Sequence, residues 1–299
     1  MARLGMKDLH MLALAVAIAL GLWSEADAQN RPRLRAHDAT EAQTVALQAA
    51  TKRLQGAKVE ITQRGSKRII TSNGVPDHAV GRFPNAGNPN RISAQRYRFE
   101  VPTQPSLGAA RALGRGASFG VAINGVPFDP NAAEFWKGKP RLGWQYNALG
   151  GAVALGLDAS YGHVQPTGAY HYHGLPVGLM QNVGWSAQAA SPLIGYAADG
   201  FPIYVLTAEV GGRVVEMTSS YQLKPGSRPG GAEPSGRHDG AFMQDFVYVA
   251  GSGRLDECNG AKVATDDYPG GTYAYFITRS YPVLPRCLRG TPGKGFSKR

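Results

Sequence analysis

Gly168-Ala169-Tyr170-His171-Tyr172-His173 and Gly271-Thr272-Tyr273-Ala274-Tyr275-Phe276 read as two versions of one strand, and they decide the fold class. In each, two tyrosines alternate with residues of other types: histidines in the first, Ala274 and Phe276 in the second. Residues two apart in a β-strand point to the same face, so Tyr170 and Tyr172 face one way and His171 and His173 the other. The match extends upstream. Leu157-Asp158-Ala159-Ser160-Tyr161-Gly162-His163 aligns with Leu255-Asp256-Glu257-Cys258-Asn259-Gly260-Ala261. Before that, Phe119-Gly120-Val121-Ala122-Ile123-Asn124-Gly125-Val126-Pro127-Phe128 aligns with Ile194-Gly195-Tyr196-Ala197-Ala198-Asp199-Gly200-Phe201-Pro202-Ile203. Two pairs in the same order mark an internal duplication, with repeat halves at residues 117–175 and 192–278.

The surrounding sequence has the same texture. Short β-prone stretches such as Arg96–Val101 and Asp245–Val249 alternate with turns, and the 39 Gly and 20 Pro are dispersed along the chain. The prediction is a mainly β protein: one β-rich domain over residues 59–290, built from the duplicated unit. Residues 29–58 are expected to be a loosely attached helical or flexible segment. There Asp38-Ala39-Thr40-Glu41 resembles a capping box ahead of the helix-forming run Ala42–Ala50. The Pro/Gly-rich stretch Lys224–Gly236 is expected to be a long mobile loop, and residues 291–299 a flexible tail.

Residues 1–28 read as a signal peptide. Arg3 and Lys7 precede the apolar run Met11–Leu22, and Ala26-Asp27-Ala28 supplies a small-x-small cleavage site. The run is too short for a membrane span, and no later segment is apolar enough. The expected location is periplasmic or secreted. The net charge of +11 comes from scattered basic residues, with no Lys/Arg cluster. Nucleic acid is therefore not an expected partner, while a metal ion and other cell-envelope proteins are. Cys258 and Cys287 are the two cysteines. In an oxidising compartment they are expected to form a disulfide, the alternative being a metal-thiolate role.

The duplication isolates the functional residues. The Leu-Asp pair, the glycine and the strand tyrosines occur in both halves, whereas His163, His171 and His173 are replaced by Ala261, Ala274 and Phe276. His171 and His173 lie side by side on one strand face, and His163 arrives from a glycine-flanked turn. Neutral imidazoles in this pattern suit a transition metal, copper or zinc above all in an exported protein. His78 is a candidate fourth ligand. Tyr170 and Tyr172 are expected to pack or hydrogen-bond behind the histidines, with Asp158 either orienting a histidine or anchoring a turn. The second half should not bind metal. A Walker A loop and a His-Glu-x-x-His motif are both missing.

These motifs together resemble the YHYH-domain family, named for residues read here as Tyr170-His171-Tyr172-His173. The resemblance includes Ser72-Asn73-Gly74-Val75-Pro76-Asp77-His78, Asn124–Pro130, His163-Val164-Gln165-Pro166, Asp199–Tyr204, Leu255–Gly260 and Pro285-Arg286-Cys287. It implies an exported bacterial protein and favours His78 as a site residue, but supplies no reaction. Three readings follow. One is an exported metal-binding protein for metal handling. A second is a metal-dependent hydrolase or oxidoreductase, which a carboxylate or tyrosine beside the histidines would favour. The third is a non-enzymatic envelope-binding module.

Overall fold

The computed structural model describes residues 36–297; the leader lies outside them. Among the described residues, nineteen strands form one large sheet and several small ones. A three-stranded antiparallel sheet joins β2 (Val59–Arg64), β3 (Lys67–Ser72) and β5 (Tyr97–Pro102). Two-residue ribbons pair β1 (Lys52–Arg53) with β4 (Ala79–Val80), and β6 (Arg111–Ala112) with β19 (Cys287–Leu288). Two hairpin-like pairs, β13 (Thr207–Val210) with β14 (Arg213–Glu216) and β15 (Tyr221–Leu223) with β16 (Phe246–Tyr248), belong to the second half. The one α-helix among the described residues is α1 (Val177–Asn182).

The large sheet has eight strands. Its first four are β7 (Gly120–Ala122), β8 (Pro127–Phe128), β9 (Gly162–Val164) and β10 (Tyr170–Tyr172). The others are β11 (Gly195–Ala197), β12 (Pro202–Val205), β17 (Gly260–Thr265) and β18 (Tyr268–Ile277). Their order across the sheet is β17-β18-β12-β11-β7-β8-β10-β9, a palindrome about the central antiparallel pair β11–β7. Each half repeats one topology: an antiparallel pair, a parallel neighbour, then an antiparallel edge strand.

The register agrees residue by residue with the sequence repeat. His171 pairs with His163 and Ala274 with Ala261; Tyr172 pairs with Gly162 and Tyr275 with Gly260. Strands β7, β10, β11 and β12 are buried along their whole length, as expected for a sheet covered on both faces. The tyrosine face joins Phe119, Phe128, Tyr170, Tyr172, Tyr273 and Tyr275 in the main core.

Turn chemistry is duplicated too. Gly125 and Gly200 close the β7–β8 and β11–β12 turns at φ 81° and 92°, a region open to glycine at little cost. Gly162 and Gly260 do a different job. A Cβ at Gly162 would lie 2.2 Å from the Tyr170 hydroxyl oxygen, and one at Gly260 would lie 2.0 Å from that of Tyr273. Each glycine lets a tyrosine hydroxyl reach the aspartate of the preceding turn.

Three expectations about the periphery are corrected. Residues 42–50 form no helix. They run extended, with Gln43 N donating to Gly150 O (2.9 Å) and Gln48 N to Leu157 O (3.0 Å). Cross-chain bonds replace the local i→i−4 ladder, and helix propensity, a weak prior, loses. The Lys224–Gly236 loop is pinned by Arg228, whose fully buried guanidinium is held by Asp245 at 2.7 and 2.6 Å and reaches Thr40 O of the extended strap. The residues after 290 are docked as far as they are described. Lys294 exchanges backbone bonds with Glu100, and the buried Phe296 packs on Phe99 at 4.8 Å.

Candidate metal centre

Strand β10 places His171 and His173 on one face, and its neighbour β9 sets His163 directly opposite His171. The three rings form a symmetric propeller: every pair of ring centroids is 4.7 Å apart, with planes at 69–77°. The Nε2 atoms converge. His173 Nε2 is 3.0 Å from both His171 Nε2 and His163 Nε2, and all three nitrogens lie within 4.8 Å of one another.

The outer nitrogens fix the tautomers. His163 Nδ1 is 2.9 Å from Leu155 O and His171 Nδ1 is 3.2 Å from Ala169 O. A carbonyl only accepts, so each Nδ1 carries the proton and each Nε2 presents a lone pair to the centre. Burial, opposed by the bond to Leu155, pushes the His163 imidazole below its ordinary range. Burial pushes His171 and His173 well below theirs, helped by the positive form of neighbouring histidines and, at His173, by Arg286. The cluster is therefore built for neutral rings with lone pairs facing inward, the form that ligates metal. Three nitrogens holding a tetrahedral ion at 2.0–2.1 Å lie about 3.3 Å apart, close to the 3.0 Å contacts found here.

One carboxylate joins the cluster that the sequence reading did not single out. Asp129 Oδ2 lies 3.8 Å from His171 Nε2, and Asp129 is buried. The repeat held the signal. The alignment of Phe128 with Ile203 runs one residue further to Asp129 and Tyr204, another pair that differs between the halves. In the second half Tyr204, Ala274 and Phe276 pack together in an apolar cluster where the first half has the aspartate and histidines.

His78 does not join the site. It lies on the tyrosine side of β10, where its Nδ1 donates to Ala79 O (2.8 Å) and its Nε2 accepts from the Tyr172 hydroxyl (2.6 Å). The ring stacks on Tyr172 and is closed in by α1, since a Cβ at Gly178 would lie 2.4 Å from His78 Cγ. Both ring nitrogens are used and neither faces the other histidines. Tyr172 also accepts from Asn124 Nδ2 at 2.9 Å. Tyr170 donates to Asp158, whose carboxylate also accepts from the backbone N–H groups of Gly81, Ser160 and Gly162. Asp158 is thus a turn anchor rather than a group that orients a histidine by hydrogen bond. Asp256 repeats the pattern, accepting from Tyr273, Cys258 N and Gly260 N.

Cys258 and Cys287 form the disulfide, with Cα atoms 5.1 Å apart. That joins β19 to the second repeat and leaves no thiolate there for metal. Gly116-Ala117-Ser118-Phe119-Gly120 has the Gly-x-Ser-x-Gly spacing of a hydrolase elbow, but it leads into strand β7 instead of a helix.

Fold and site define a duplicated β-sheet protein that carries a buried three-histidine cluster on one half. Residues 98–290 match the family model described as YHYH protein, and the chain belongs to that family. No curated protein and no solved structure matches it. The matched region holds both repeats and all three clustered histidines, while His78 lies before it. No helix among the described residues is long and apolar enough to cross a membrane.

Proposed function

We propose that the chain is an exported metal-binding protein in which His163, His171 and His173 hold one copper or zinc ion through Nε2. The observation that carries this reading is the convergence of three Nε2 atoms, two of them locked as lone-pair donors by backbone carbonyls. Three inward lone pairs repel one another unless a proton or a cation lies between them. A divalent or cuprous ion satisfies all three at once, whereas a single proton on His173 Nε2 serves one contact fully. Export is supported by the leader-like residues 1–28 and agrees with the Cys258–Cys287 disulfide.

A second reading, a metal-dependent hydrolase or oxidoreductase, is favoured by Asp129. Its Oδ2, 3.8 Å from His171 Nε2, would serve as a fourth ligand or take a proton from a metal-bound water. Three protein ligands with one position for water or substrate is the arrangement of reactive metal sites.

Elemental analysis of protein purified without an affinity tag tests the proposal. The expected result is one equivalent of copper or zinc per chain in the native protein and none in a His171→Ala/His173→Ala variant. A native protein that retains no metal, and binds none on titration with either ion, refutes it.

A further inference from the structure

The outward N–H and C=O groups of an edge strand invite another strand, and proteins usually blunt such edges. Among the described residues most edges are blunted. Strand β9, at one end of the large sheet, has three residues, and Asn88 and Asn90 side chains donate to its Val164 carbonyl at 2.9 and 2.8 Å. Strand β17, at the other end, carries a register shift between Val263 and Thr265. The outer edge of β5 is closed where Lys294 exchanges backbone bonds with Glu100. The two-stranded ribbons have strands of four residues at most.

Strand β2 is the exception. It runs six residues, Val59-Glu60-Ile61-Thr62-Gln63-Arg64, in unbroken register with β3. Lys58 O accepts from Asn73 N, so by alternation residues 58, 60, 62 and 64 direct their main-chain groups to β3. Those of Val59, Ile61 and Gln63 point outward, where no described residue bonds them. Val59 and Ile61 are 42% and 40% exposed, although Ile61 pairs with the fully buried Ile70. The main core therefore runs to this edge and stops uncovered. Glu60 and Arg64 form no ion pair among the described residues.

The order of charges along β2 selects the occupant. We propose that two copies of the chain join by antiparallel pairing of β2 with β2 about a two-fold axis at Thr62, which fuses their three-stranded sheets. This register sets the outward residue Ile61 opposite Gln63 of the second copy, as backbone pairing requires, and brings the two Ile61 side chains into diagonal contact. On the opposite face Glu60 meets Arg64 of the second copy, and by symmetry the pair occurs twice. Neighbouring registers lack this match. An axis at Ile61 would set Lys58 against Arg64, and one at Glu60 would set that glutamate against itself.

Sedimentation velocity of the full chain over a range of concentrations tests the pairing. A monomer–dimer equilibrium is expected. Glu60→Arg and Arg64→Glu each put like charges at both contacts and should weaken it by about tenfold or more. Mixed one-to-one, the two variants should form a heterodimer, because every arginine of the pair then faces a glutamate. A wild-type chain that stays monomeric, a dimer unaffected by either variant, or a mixture no tighter than the variants alone overturns the proposal. If a variant fails to fold, hydrogen exchange of the wild type decides. The Ile61 and Gln63 amides should gain protection as concentration rises, and protection independent of concentration overturns the pairing.

Discussion

Tyr172 separates two chemistries across the thickness of one strand. On its own face the hydroxyl accepts from Asn124 and donates to His78; on the other, His171 and His173 turn toward His163. Alternation along Tyr170-His171-Tyr172-His173 is legible in the sequence, and so is the three-histidine set, because the second half shows the scaffold without them. His78 was not legible as a supporting residue, since a histidine in a turn does not announce which face of a distant strand it meets. Tyr172→Phe removes the partner of the buried His78 Nε2 and one of the two partners of the Asn124 amide, at about 1–3 kcal/mol. We expect that loss in a denaturant titration with the metal content unchanged; loss of metal would place His78 and Tyr172 nearer the site than described. A pH effect follows from the burial of the cluster. In the unfolded chain the three imidazoles titrate near 6.5, and in the folded chain they are held below it. The unfolded state therefore binds more protons in that window, so metal-free stability is lost as pH falls below about 6.5. Urea midpoints of the metal-free protein should drop between pH 7 and pH 5 more steeply than those of His163→Gln/His171→Gln/His173→Gln. Equal slopes would contradict this.

At the scale of the element, the strand–turn unit is conserved between the halves while its load differs. The same aspartate receives the same tyrosine across the same glycine in both. Gly162→Ala and Gly260→Ala each force a Cβ into a tyrosine hydroxyl, and such overpacking costs about 1–3 kcal/mol. Both should destabilise the fold similarly. Only Gly162→Ala should weaken metal binding, because β9 carries His163 and β17 carries Ala261. A Gly260→Ala variant that loses metal would mean that the halves are coupled through the sheet and the site is not local. The unit is legible in the sequence because both copies obey one register. Asp129 sits one residue past the shared Phe119–Phe128 motif, where the halves already differ and likeness gives no signal.

Across the whole molecule, long-range bonds decide what local propensity does not. The alanine-rich strap that reads as a helix is held extended by Gly150 and Leu157, and the glycine-rich loop that reads as mobile is fastened by Arg228. The strap's partners lie about 100 residues away, and Arg228 reaches Thr40 across 188 residues and Asp245 across 17, so neither segment shows by itself what holds it. Arg228→Ala leaves the buried Asp245 carboxylate uncompensated, at about 3–5 kcal/mol. Limited proteolysis should then cut first within residues 38–50 and 224–240; cleavage pattern and rate identical to wild type would show that the latch is dispensable. These supports stand around a centre whose content is the main claim. X-ray absorption of the metal-loaded protein measures that centre directly. Three imidazole nitrogens at about 2.0–2.1 Å from a single ion are predicted, and fewer than three, or a sulfur scatterer near 2.3 Å, would contradict the assignment of His163, His171 and His173 as the ligands.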